Sequence, residues 1–135
     1  MTKKLQNKIF KRFPQMFMER KLPCTETCMC WGIACGDGWF QLIWDLCLKI
    51  EKHTKKIASL YRDFRVTQVK EKCGTIRFYT NKADYIIDEY IDEAEYASSN
   101  TCEECGTTET VIQMREGWCF TLCSRCTEER NNDKF

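Results

Sequence analysis

The sequence predicts an α+β fold in which helices pack on a β-hairpin and a small cysteine-bearing module follows at the C-terminus. Three observations predict it. Apolar residues recur at helical spacing over 38–55 and again over 83–99. Between those stretches, over Phe64 to Thr80, the period drops to two and Cys73-Gly74 supplies a tight turn. Beyond residue 100, the couples Cys102-x2-Cys105 and Cys123-x2-Cys126 stand a hairpin's length apart. The chain has 135 residues, enough for one compact domain with a stapled appendage, and the patterns divide it into a 1–99 α+β core and a 100–135 four-cysteine zinc-binding module.

Residues 3–13 place Leu5, Ile9, Phe10 and Phe13 at helical spacing among lysines, and Pro14 ends the run. This predicts a short amphipathic helix docked on the core through Phe10, Phe13 and Phe17; a membrane-surface role is the alternative for so basic a segment. Cys24, Cys28, Cys30 and Cys35 then crowd into twelve residues without two-by-two spacing. They are candidates for a second metal ion, with His53 as a substitute ligand, although irregularly spaced cysteines are more often free core thiols. In Gly36-Asp37-Gly38 the carboxylate is placed to cap the helix that follows. Over 38–55, Trp39, Phe40, Leu42, Ile43, Trp44, Leu46, Cys47, Leu48 and Ile50 wrap most of the circumference and leave a polar stripe of Gln41, Asp45, Lys49 and Lys52. Such a helix is central to the core or shared with a second copy of the chain.

In the hairpin, strict alternation puts Val66, Gln68, Lys70 and Lys72 on one side and Thr67, Val69 and Glu71 on the other. Lys70, Lys72, Arg77 and Tyr79 are candidate contacts for phosphate and bases, against a default of a solvated sheet face. Over 83–99, Tyr85, Ile86, Tyr90, Ile91, Ala94 and Ala97 form an apolar stripe, and Asp84, Asp88, Asp92 and Glu95 an acidic one. With Glu89 and Glu93 this segment has six acids and no base. It is a candidate partner-binding face, able to occupy a basic groove in the manner of a nucleic acid, or a solvated face balanced by the hairpin. The whole chain shares this division: residues 1–82 carry 17 Lys/Arg against 7 Asp/Glu, and residues 83–135 carry 4 against 13. That dipole is satisfied internally, by head-to-tail assembly, or by a partner.

The C-terminal couples have the spacing of a tetrahedral zinc site. Gly106 supplies a knuckle turn, Thr110 to Met114 and Trp118 to Leu122 alternate as strands with Glu116-Gly117 turning between them, and the second couple opens a short helix. This is the order of a treble clef, with a zinc ribbon as close competitor and two disulfides or free thiols as the non-metal alternative. Cys119 is assigned to packing. Four thiolates close the coordination sphere, so the ion is structural. No segment approaches the roughly eighteen apolar residues of a membrane span, and no apolar leader follows the basic N-terminus. With eleven cysteines, the chain is expected to be soluble and intracellular, its thiols reduced or metal-bound.

Catalytic patterns do not emerge. His53 is the single histidine, nothing in the sequence pairs it with Cys47 or Cys73, and there is no phosphate-binding glycine loop, dinucleotide fingerprint or His-x-Glu deaminase motif. The expectation is a protein that is not an enzyme. Three stretches, Glu26-Thr-Cys-Met-Cys-Trp-Gly-Ile-Ala-Cys-Gly-Asp-Gly-Trp39, Gln68-Val-Lys-Glu-Lys-Cys-Gly-Thr-Ile-Arg-Phe-Tyr79, and Cys102-Glu-Glu-Cys-Gly with Gly117-Trp and Thr121-Leu-Cys, resemble small bacteriophage and prophage proteins that end in a zinc module. The resemblance spans about residues 24–126. It implies a phage accessory protein in the bacterial cytoplasm that binds a host protein complex and inhibits or redirects it, as in anti-defence, and it brings no established reaction. Two alternatives stand beside it. One is an oligomeric sponge for a nucleotide signal, assembled through the 38–55 helix and lined by Trp31, Trp39, Arg65, Arg77 and Tyr79. The other is a nucleic-acid-binding module using Lys70, Lys72, Arg77 and the basic N-terminus.

Overall fold

The computed structural model describes residues 1–114 and 117–133. In chain order the elements are α1 (Lys3–Arg12), β1 (Ile33–Ala34), α2 (Phe40–Thr54), α3 (Ala58–Asp63), β2 (Val66–Lys72), β3 (Thr75–Thr80), α4 (Tyr85–Ser98), β4 (Val111–Met114), β5 (Phe120–Cys123) and α5 (Ser124–Asn132). Short 3-10 turns fill the connection between α1 and α2. The sheet has the order β1-β2-β3, with β1 parallel and β3 antiparallel to β2; β4 and β5 form a separate antiparallel pair. The α+β class expected from the sequence is what forms.

α2 lies at the centre. Ile43, Leu46, Cys47 and Ile50 are buried along it, and it meets α4, whose Ile87 and Ala94 are buried. Ile9, Phe10, Phe13 and Phe17 bring α1 and its trailing turn onto the same core. Phe13 stacks edge-on against Trp44 at 5.5 Å, and Phe17 against Phe78 at 6.5 Å. Most of the apolar circumference of α2 is therefore covered by the chain itself. Each fully buried side chain of this size contributes about 1.5–3 kcal/mol.

Four local expectations change. Asp37 does not cap α2, whose N-cap is Trp39 without a side-chain bond; its Oδ1 instead accepts the Thr2 amide at 2.7 Å. The pairing register shifts between Val66 and Gln68. That bulge turns Val66 to the same buried side as Val69, where strict alternation would have exposed one of them. β1 and α3 form where the sequence pattern predicts no element. On α4 the buried line runs through Ile87, Ala94 and Ser98, while Tyr85 points to solvent; Asp84 is the N-cap, accepting the Ile87 amide at 3.0 Å, so the helix begins at Tyr85 rather than at residue 83.

The β2–β3 turn has the expected form. Cys73 and Gly74 sit at φ 54° and 81°, and Lys72 pairs with Thr75 across them, as a two-residue hairpin requires. This turn abuts the C-terminal module: Thr121 Oγ1 donates to Gly74 O at 2.5 Å. A second junction lies at Gly36-Asp37-Gly38. The Gly36 amide donates to Glu103 Oε1 at 3.0 Å and the Gly38 amide to Glu103 O at 2.7 Å. A Cβ on Gly38 would collide with the carbonyl oxygens of Cys102 and Glu103, so glycine is needed there for backbone contact rather than for flexibility. Trp39, with no exposed surface, donates Nε1–H to Thr101 O at 2.8 Å.

Candidate metal centre

The module is built as a knuckle, a hairpin and a helix. The Cys102 amide donates to Thr107 O at 2.8 Å and the Gly106 amide to Cys102 O at 2.9 Å, with Gly106 at φ 78°. These bonds curl Cys102-Glu-Glu-Cys105 so that both thiols face one point. β5 then delivers Cys123, and α5 starts at the next residue, so Cys126 returns one turn later beside it. Of the connecting turn, Gly117 has φ 78°, and Glu116 lies outside the described residues.

The ligand atoms of Cys102, Cys105, Cys123 and Cys126 all lie within 4.8 Å of one another. Cys105 and Cys123 Sγ are 3.7 Å apart; an edge of a tetrahedron with ~2.3 Å metal–sulfur bonds is about 3.8 Å. The donor set thus fits one metal ion and is compatible with Zn2+. Three of the four cysteines are buried and Cys105 is exposed. The Cys126 amide donates to Cys123 Sγ at 3.5 Å, and this bond leads the effects that pull the Cys123 thiol down to about 7. The first amides of α5 therefore favour the Cys123 thiolate, while burial pushes the Cys126 thiol up. Arg125 adds positive charge beside the Cys126 and Cys105 sulfurs. Cys119, assigned to packing, is half-buried and stays outside the four-sulfur group.

The second candidate site does not assemble. Cys24 and Cys30 are joined as a disulfide, which corrects the expectation of reduced thiols for this pair. Cys28 is exposed, and burial pushes the Cys35 thiol up to about 12. Two of the four sulfurs are consumed by each other, and the four are not among the groups placed to share one ion. Among the described residues the C-terminal four form the sole cysteine group placed to hold a metal. His53 is also committed elsewhere: its Nε2 lies 2.6 Å from Asp84 Oδ2.

The remaining candidates divide. Register puts Gln68, Lys70, Lys72, Arg77 and Tyr79 on one side of the hairpin, since Lys70 opposes Arg77 and Gln68 opposes Tyr79. Arg77, however, is paired with Glu95 of α4. The residues offered for a nucleotide pocket do not converge on an open site: Trp39 is buried with its Nε1 occupied, and Arg65 donates to the carbonyls of Arg62 and Phe64. The acids of α4 separate as well. Asp84 meets His53, Glu93 meets Lys49 at 2.9 Å, and Glu95 meets Arg77. Asp88, Glu89 and Asp92 are exposed and stand outside those pairs. They share a stripe with Tyr85 and Tyr96, which are 74% and 76% exposed. The stripe of positions 85, 88, 89, 92 and 96 is legible as helical spacing, but the apolar pattern sets Tyr85 on the buried side and leaves Tyr96 on neither. Among the described residues no helix is long and apolar enough to cross a membrane. Comparison with protein-family models, curated proteins and solved structures finds nothing that matches this chain.

Proposed function

We propose that the chain is a non-catalytic, zinc-stabilised protein that binds another protein complex through the outer face of α4. The C-terminal module acts as a treble clef whose four sulfurs complete the coordination of Zn2+, leaving no position for a reacting water. The observation that carries the binding reading is the exposed stripe itself. Two tyrosines bracket three carboxylates on one helical face, and aromatic anchors within a charged surround suit recognition of a basic protein surface. On the resemblance drawn above, that surface belongs to a complex of a bacterial host, which the protein inhibits or redirects from the cytoplasm. The experiment is affinity capture from host lysate with the native chain and an Asp88→Asn, Glu89→Gln, Asp92→Asn variant. Retention of the same partner by both would remove the reading; loss in the variant, with zinc content unchanged, supports it.

A second reading has one observation in its favour, the shared outer face of Lys70, Lys72 and Tyr79. Nucleic-acid binding there would weaken steeply with salt and on Lys70→Gln, Lys72→Gln. The nucleotide sponge has less support, since Trp39 is unavailable as a lining residue.

A further inference from the structure

We infer that the cleft between the end of α1, the end of α2 and α3 binds a small aromatic anion. Pro14 follows the end of α1, and residues at the ends of α1 and α2 together with Tyr61 of α3 and Phe64 line a space of about 300 Å³. That is the lower end of the range for small-molecule sites. Its aromatic wall is the exposed ring of Tyr61, with Phe13 and Phe64 buried behind it, and its charged groups are Arg12, Glu51 and Lys55.

The charges do not cancel. Arg12 Nη1 and Nη2 each donate to a Glu51 carboxylate oxygen at 2.9 Å, and Lys55 Nζ stands 3.4 Å from Glu51 Oε1. Two cations therefore face one carboxylate, and the bidentate geometry gives that carboxylate to Arg12. Lys55 is left with the longer contact, is more than half exposed, and reaches over the Tyr61 ring at 6.0 Å. A helix C-terminus disfavours anions, but here the end of α2 is closed: Glu51 O accepts the Lys55 amide and the Thr54 hydroxyl, and His53 O accepts the Lys56 amide. The net positive charge at the mouth of an aromatic cleft fits a ligand with one flat ring and one anionic group. The ring lies against Tyr61, and Lys55 moves onto the anion with Arg12 as second donor. An aryl carboxylate and a nucleoside monophosphate share this chemistry. The cleft has no residue in common with the metal centre or the α4 face, so its fate is independent of the function proposed above.

The test is an amide-resolved NMR titration of the full zinc-loaded chain with phenylacetate, with adenosine monophosphate, and with neutral phenylacetamide. The expected result is saturable shifts of the Lys55 and Tyr61 signals by at least one anion and not by the amide, weakened about tenfold or more in Lys55→Gln and preserved in Lys55→Arg. The better of the two anions identifies the source class. The inference fails if neither anion moves those signals up to its solubility limit. It fails equally if phenylacetamide binds as well as phenylacetate, or if Lys55→Gln, with unchanged melting temperature, keeps full affinity.

Discussion

The core and the C-terminal module are held together by different physics. Among the described residues, twenty buried apolar side chains form one cluster around α2. The module's cluster has four members, three of them cysteines, with Leu122 as the single ordinary hydrophobe. The first region gains enough from excluding water to stand on burial. The second does not, and its hairpin would not persist alone in water. A metal held by the four cysteines would take the place of a core, and the module's remaining support comes from the glycines, Trp39 and Thr121 at its junctions.

That contrast can be broken or sharpened. The largest effect is expected from metal removal, because structural zinc contributes about 10–16 kcal/mol in small finger peptides near neutral pH. Chelation should free the β4–β5 amides to exchange while the core stays folded with a lower melting temperature; loss of both regions together would make them one unit. Next, Ile43→Ala should cost about 2–5 kcal/mol in global stability at unchanged zinc stoichiometry, read by denaturant unfolding and metal analysis. A smaller loss, of about 1–3 kcal/mol, is expected for Gly38→Ala, whose Cβ would collide with Cys102 O. It touches no ligand side chain, so faster zinc release in this variant would tie metal retention to the junction.

The smallest effect is pH-dependent. Hydrogen bonding from Arg12 holds the Glu51 carboxyl below its ordinary 4.5, and that from His53 holds Asp84 below 3.8. Depressed carboxyls contribute stability that is complete above those ordinary values and disappears as pH falls through the lower folded ones. Burial raises Glu103, which has the opposite sign: its contribution declines as pH rises through the carboxylate range. Asp84→Asn should flatten the acid limb of core stability while leaving the neutral region nearly level. An acid limb identical to that of the native chain would show that the pair with His53 is energetically silent.

The legible features are those that chemistry pins to fixed spacing. Cys102, Cys105, Cys123 and Cys126 can be read because tetrahedral sulfur demands two close couples, and the β2–β3 turn because Gly74 follows Cys73 between alternating residues. Long apolar periods reveal α2 and α4. Illegible features depend on partners distant in sequence. Ile33-Ala34 is a strand only because β2 lies beside it, and two residues carry no period. The bulge near Thr67 buries both Val66 and Val69, which alternation alone cannot reveal. Asp37 looks like a cap because the preference for Asp before a helix is real, but the Thr2 amide takes it. Nothing in Cys24 to Cys35 distinguishes a disulfide from a ligand set. The charge division is visible in the sequence, and part of its cancellation comes from contacts across the halves, Lys49 with Glu93 and Arg77 with Glu95.

The bonds from Gly36 and Trp39 to Glu103 and Thr101 span 67 and 62 residues of chain. On a ribosome, the segment that launches the central helix emerges long before its acceptors do. For that interval the Trp39 indole must either stay hydrated or bury itself with an unmet donor, and both are costly. The start of the central helix therefore acquires these partners only after residues 101–103 have been made.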